Sequence, residues 1–158
     1  MVFFVVIRGP LGVGKSSVAE RLAKEINGAP ISIDQILEDH NLWEAGHLSE
    51  FLKANEFAIG LARGPLSRGT PVIFDGNFYW KTQLNDLIGG LLPYRAHVFT
   101  LIAPLSVCVE RDSQRARPYG PEAARQVYSK STRFEWGVRI DADRPIGNVV
   151  SEIALRLG

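Results

Sequence analysis

Gly9-Pro10-Leu11-Gly12-Val13-Gly14-Lys15-Ser16 separates an apolar run, Val2–Ile7, from a stretch of helical periodicity that begins at Lys15. Glycines at this spacing let successive backbone N–H groups curl around phosphate oxygens. The following helix adds its positive N-terminal dipole, a lysine reaches the β- and γ-oxygens, and a hydroxyl next to it can ligate Mg²⁺. A strand on one side and a helix on the other is the frame this chemistry needs. The segment therefore predicts a nucleoside triphosphate site made by Gly9, Pro10, Leu11, Gly12, Val13, Gly14, Lys15, Ser16 and Ser17. The competing reading is a glycine-rich turn with a surface lysine, which the strand and helix on either side disfavour.

Outward from the loop, apolar runs at Val2–Ile7, Ile31–Ile33, Val72–Phe74, Ala96–Ile102 and Gly137–Ile140 alternate with helical segments. The helices are expected at Lys15–Ile26, Leu48–Arg63, Lys81–Leu87, Leu105–Arg115, Pro121–Phe134 and Pro145–Leu157. Asn27-Gly28, Gly64-Pro65, Gly89-Gly90 and Pro118 act as breakers, and Asp34 and Ser106 as helix starts. Alternation of this kind predicts an α/β fold with a five-stranded parallel sheet and helices on both faces. With 158 residues and 46% hydrophobic content, a single domain over residues 1–158 is expected. Val2–Ile7 is too short for a membrane span and lacks a basic leader, so a cytoplasmic protein is expected.

Cys108 is the sole cysteine, which excludes an intrachain disulfide and a cysteine-built metal site. His40, His47 and His97 lack ligand spacing. The net charge is +1, without the field that long nucleic acid calls for. Positive charge is nevertheless local: between Glu110 and Arg133 stand six basic and three acidic residues.

In an open parallel sheet, ligands bind beyond the C-terminal ends of the strands. Asp34 follows the second run and is a candidate general base for a hydroxyl attacking phosphorus, or else a helix N-cap. Asp75-Gly76-Asn77 follows the third. Its carboxylate can hold a Mg²⁺-bound water or an acceptor hydroxyl, or simply make an Asp-Gly turn. Asn77 and Tyr79 are taken as substrate contacts, because Phe78-Tyr79-Trp80 cannot all face a core and one ring is free to stack on a flat group. Trp43 is a weaker companion. Arg111 and Arg115, four apart on an expected helix, share a face, and Arg117 before Pro118 lies in an exposed turn. Together they suit a lid over residues 111–125, with Arg111 on the nucleotide, Arg115 on the transferring group and Arg117 toward the acceptor. A solvated charged helix is the alternative.

In their combined order, the phosphate loop, Asp34, Asp75-Gly-Asn and Arg111-x-x-x-Arg115 resemble the small phosphate-loop kinases typified by phage polynucleotide 5′-kinase and chloramphenicol phosphotransferase. The likeness extends to Arg111, Arg115, Pro121, Arg125 and Tyr128 in the lid and to Ser32-Ile33-Asp34-Gln35-Ile36-Leu37. It implies ATP and Mg²⁺ as cofactors, with Lys15, Ser16, Asp34 and Arg115 catalytic. The polynucleotide kinase carries an arginine where this chain has Leu37, so a small hydroxyl-bearing acceptor is expected in preference to nucleic acid. The absence of an Asn-Lys-x-Asp run tilts the nucleotide toward ATP. A phosphate-accepting nucleotide kinase and a non-catalytic ATP-binding regulatory module are the rival functions.

Overall fold

A computed structural model describes residues 1–42 and 46–158; Trp43 lies outside the described residues. Five strands, β1 (Phe3–Arg8), β2 (Ala29–Ser32), β3 (Val72–Gly76), β4 (Arg95–Ile102) and β5 (Val138–Asp141), form one parallel sheet in the order β2-β3-β1-β4-β5. The helices are α1 (Lys15–Ile26), α2 (Ile33–Asp39), α3 (Leu48–Ser67), α4 (Lys81–Gly90), α5 (Leu105–Ser113), α6 (Pro121–Ser131) and α7 (Ile146–Leu157). No helix among the described residues is long and apolar enough to cross a membrane.

Side chains alternate across a strand, so β1 feeds two cores. Phe4 and Val6 pack with Val72 and Phe74 of β3 and with Leu37, Ala54, Ala58 and Leu84 from α2, α3 and α4. Val5 and Ile7 face the opposite way, against Val18, Leu22, Val149 and Ile153 from α1 and α7. Burial on both faces explains why the strands read as continuous apolar runs. Register then fixes the site: Ile7 pairs with Asp75, and Arg8 pairs with both Gly76 and Thr100. Three strand ends are thereby brought level under the phosphate loop.

Several expected boundaries move. Helix α3 runs through Pro65 to Ser67, because Pro65 follows Gly64, whose missing Cβ relieves the crowding that normally bars helix before proline. Helix α4 likewise continues to Gly90, with Gly90 packed against Ile59 of α3. Helix α5 starts at Leu105 as expected, after Pro104, and α6 stops at Ser131. Helix α5 also ends at Ser113, so Arg115 lies in the turn beyond it and does not share a helical face with Arg111.

Candidate active site

The loop between β1 and α1 owes its shape to two glycines in particular. Gly14 has φ +101 at the N-cap of α1, a conformation L side chains rarely adopt. At Gly12, φ +83, a Cβ would lie 2.2 Å from the carbonyl oxygen of Cys108, so the loop is seated directly on the backbone of α5. Cys108 itself is a buried core residue, as its apolar setting predicts.

Lys15 is buried and donates from Nζ to the Pro10 carbonyl at 3.0 Å, folding back across the arch of the loop. Burial pushes its ammonium below the usual lysine range, against the opposing pull of Asp34 and Asp75. The Ser16 hydroxyl donates to Asp75 Oδ1 at 3.3 Å. A hydroxyl and a carboxylate side by side at the N-terminus of α1 form a hard-oxygen pair of the kind that binds Mg²⁺ beside phosphates. Asp75 is buried, which raises its pKa from 3.8 to about 6; Lys15 and the Ser16 hydrogen bond oppose the rise, and Asp34 adds to it.

Asp34 occupies the first turn of α2, but the helix is capped by Ser32, whose hydroxyl accepts from the Gln35 N–H at 3.2 Å. The cap reading of Asp34 is thus set aside. Its Oδ1 is buried and has no hydrogen-bond partner among the described residues. Burial raises its pKa, and the charges of Lys15 and Arg115 pull it back down. Asn77, also buried, donates from Nδ2 to the Tyr79 hydroxyl at 3.0 Å and leaves its Oδ1 unpartnered. Burial, with Asp34 nearby, pushes the Tyr79 phenol up to about 12, so it remains a neutral hydroxyl. Of the three consecutive aromatics Phe78 is fully buried, while Tyr79 and Trp80 are half-buried and pack edge to face on Phe51.

Arg111 braces the loop between β1 and α1. It donates to the Val13 carbonyl at 3.1 Å and to the Arg144 carbonyl at 3.4 Å, tying α5 to the phosphate loop and to the segment after β5. Arg115 stacks over Tyr119, 4.9 Å from the ring centre. Arg117 is exposed in the same turn and has no hydrogen bond or ion pair among the described residues. The turn is closed by Asp112, which is buried and accepts from the Tyr119 and Gly120 N–H groups at 3.1 and 2.9 Å. A cavity of 220 Å³ lies between Gly9-Pro10, the end of β4 and α6, with Ala103, Tyr128 and Ser131 in its wall.

Three contributors escaped the sequence reading. Asp112 stands next to Arg111, and a carboxylate at the end of a helix, preceding a Pro-Tyr-Gly turn, is its only signal. The Arg144 carbonyl carries none, because backbone groups leave no mark in sequence. Arg8 is legible as the one charge on the Phe4, Val6, Arg8 face of a buried strand.

Residues 4–133 match the AAA domain family. The chain belongs to that family. Against curated proteins, this AAA domain chain is 38% identical over 86 residues to the adenylate kinase of Deinococcus deserti, and the match spans 46% of the chain and 42% of that relative's length. Among solved structures, its fold is similar to a sugar kinase from Janibacter (TM-score 0.82, 17% identity, 99% of this chain and 95% of that one). It is also similar to the APS kinase of Mycobacterium tuberculosis, solved with AMPPNP and APS (0.79, 18%, 99% and 97%). The tunicamycin resistance protein of Deinococcus radiodurans is a third (0.71, 22%, 100% and 96%). At these identities the likeness is one of fold, that of P-loop kinases. It carries the resemblance no finer, to neither polynucleotide 5′-kinase nor chloramphenicol phosphotransferase.

Proposed function

We propose that residues 1–158 form one kinase domain that moves the γ-phosphoryl group of ATP to a hydroxyl of a small molecule, with Asp34 taking the hydroxyl proton. The observation that carries this reading is the buried, unpartnered Asp34 Oδ1 facing the charges of Lys15 and Arg115 at the sheet edge. A carboxylate so placed lacks one hydrogen-bond donor, and an acceptor hydroxyl supplies it. Burial raises its pKa and so makes Asp34 a stronger proton acceptor than an exposed aspartate, while Lys15 and Arg115 favour its ionised form.

The N–H groups of residues 12–16 cradle the phosphates, and Lys15 exchanges the Pro10 carbonyl for the β/γ-oxygens. Ser16 and Asp75 are the residues that would hold Mg²⁺, which when bound neutralises charge on the β- and γ-phosphates. Asn77 Oδ1 and the Tyr79 hydroxyl present two further polar groups to the acceptor. Arg115 stabilises charge that grows as the phosphoryl group leaves, and Arg111 braces the loop from outside. Arg117, exposed and uncommitted, is available to the acceptor. Leu37 is fully buried, so the position at which the polynucleotide kinase carries an arginine offers nothing to a nucleic-acid phosphate.

A thermal-shift screen of sugars, polyols, nucleosides and oligonucleotides with AMPPNP, followed by an ATP-consumption assay on the hits, identifies the acceptor. Asp34→Asn should then slow transfer by roughly 10²–10⁴-fold with AMPPNP affinity unchanged. The adenylate kinase relative favours a second reading in which a nucleoside monophosphate accepts the group. Full activity of Asp34→Asn on such a phosphate acceptor would establish it instead.

A further inference from the structure

Arg8 is fully buried at the end of β1, one residue before the phosphate loop, and no carboxylate is bonded to it among the described residues. The pattern of its strand asks for another Phe or Val at this point. A lone guanidinium in a core costs several kcal/mol unless its donors are well matched, so its partners are informative. Nη1 donates to the Thr100 hydroxyl and to the Phe134 carbonyl, both at 3.1 Å. Nη2 donates to the Ser131 carbonyl at 3.0 Å and the Phe78 carbonyl at 3.3 Å. The guanidinium carbon sits 4.3 Å from the centre of the Phe134 ring.

These partners come from separate segments that meet nowhere in sequence. Phe78 belongs to the acceptor segment, between Asn77 and Tyr79, and has φ +48, a strained conformation for a side chain of its size. Its buried ring and the bond from Arg8 to its carbonyl hold that conformation, and with it the directions of Asn77 and Tyr79. Ser131 ends α6, where a cation also complements the negative end of the helix dipole, and Phe134 lies three residues beyond it. Lys130 on the same turn reaches Tyr79, and Lys81 reaches Phe134, so α6 and the acceptor segment meet at a seam with Arg8 beneath it.

We propose that Arg8 is a positioning residue that locks the acceptor segment, residues 76–80, and the end of α6 into one fixed relation with the phosphate loop. Its fork of four donors joins both pieces to the strand that carries Gly9, so the acceptor hydroxyl and the γ-phosphate are set from a single point. Lysine, with three donors on a single nitrogen, cannot meet all four acceptors that the two separated Nη atoms reach. The proposal rests on the reading of residues 75–79 as the acceptor side. Its first test needs no acceptor.

Hydrogen exchange is measured on the whole chain with AMPPNP bound, for the parent protein, Arg8→Lys and Arg8→Met. In Arg8→Lys, exchange should rise together in residues 76–80 and 128–134 by roughly 10- to 100-fold, the equivalent of losing one charged hydrogen bond. Amides of α1, α7 and residues 72–75 and the AMPPNP affinity should stay within about twofold, since none of the lost hydrogen bonds reaches them. Arg8→Met should give the same pattern; if it does not fold, Arg8→Lys decides alone. A rise spread evenly over the sheet, a rise in only one of the two segments, or no rise would overturn the proposal. On an acceptor found by the screen, Arg8→Lys should raise the acceptor KM at least about tenfold with the KM for ATP unchanged. An equal rise in both would mark Arg8 as merely structural. Failure to find an alcohol acceptor would count against the proposed function and leave the exchange result to stand by itself.

Discussion

Asp75→Asn should make the free protein more stable while removing its capacity to hold Mg²⁺. The carboxyl pKa rises from 3.8 to about 6 on folding, chiefly because burial disfavours the charged form. A shift of roughly two units corresponds to ~3 kcal/mol by which the ionised side chain is disfavoured in the folded state relative to the unfolded one. The direction follows from proton counting. Between pH 3.8 and about 6 the folded protein holds a proton that the unfolded chain has released, so parent stability falls as pH rises through that window and stays lowered above it. An amide has no charge to bury, and its Oδ1 still accepts from Ser16. Asp75→Asn should therefore gain up to ~3 kcal/mol at pH 7.5, a rise in Tm of about 6–12 °C for a chain of this size. The gain should vanish near pH 4. Urea denaturation of both proteins at the two pH values, with a chelator and no nucleotide, provides the measurement. Equal stability at pH 7.5, or a gain independent of pH, would refute the reasoning that burial of this charge is the dominant cost at the site.

Arg115→Ala should lower kcat by at least about tenfold with AMPPNP affinity nearly unchanged, as expected of a contact strengthened in the transition state; titration calorimetry and turnover measured side by side check the split. Asp112→Ala removes the acceptor of two backbone N–H groups and should release the turn at residues 113–120, seen as faster proteolysis confined to that turn and a stability loss of roughly 1–3 kcal/mol. Proteolysis that leaves the turn intact would show that the loop is held by other means.

The phosphate loop, the order of strands and helices and the positions of Asp34 and Asp75 were readable because each depends on local pattern: glycine spacing, apolar runs, a polar residue at a strand exit. What sequence withheld depends on how distant segments meet. Ser32 and Asp34 are both good caps, and only the backbone path of α2 shows that the hydroxyl does the capping and frees the carboxylate. Arg111 and Arg115 have helical spacing, yet α5 ends at Ser113, where Asp112 is drawn to the N–H groups of Tyr119 and Gly120. Gly64-Pro65 reads as a stop, but it lies on a helix whose packing against α2 and α4 outweighs one missing hydrogen bond. Arg8 lies just past the end of the run assigned to β1, and three of its four partners are backbone carbonyls that no residue code announces.

The contact between Gly12 and the backbone of Cys108 makes the phosphate loop and α5 two sides of one joint. A methyl group at residue 12 would act as a wedge, and the helix it displaces carries both Arg111 and the Asp112-closed turn at its far end. Damage to the phosphate loop would thus surface as a displaced turn at residues 113–120. The requirement for glycine at this point is imposed from outside the loop, by a helix contributed much later in the chain.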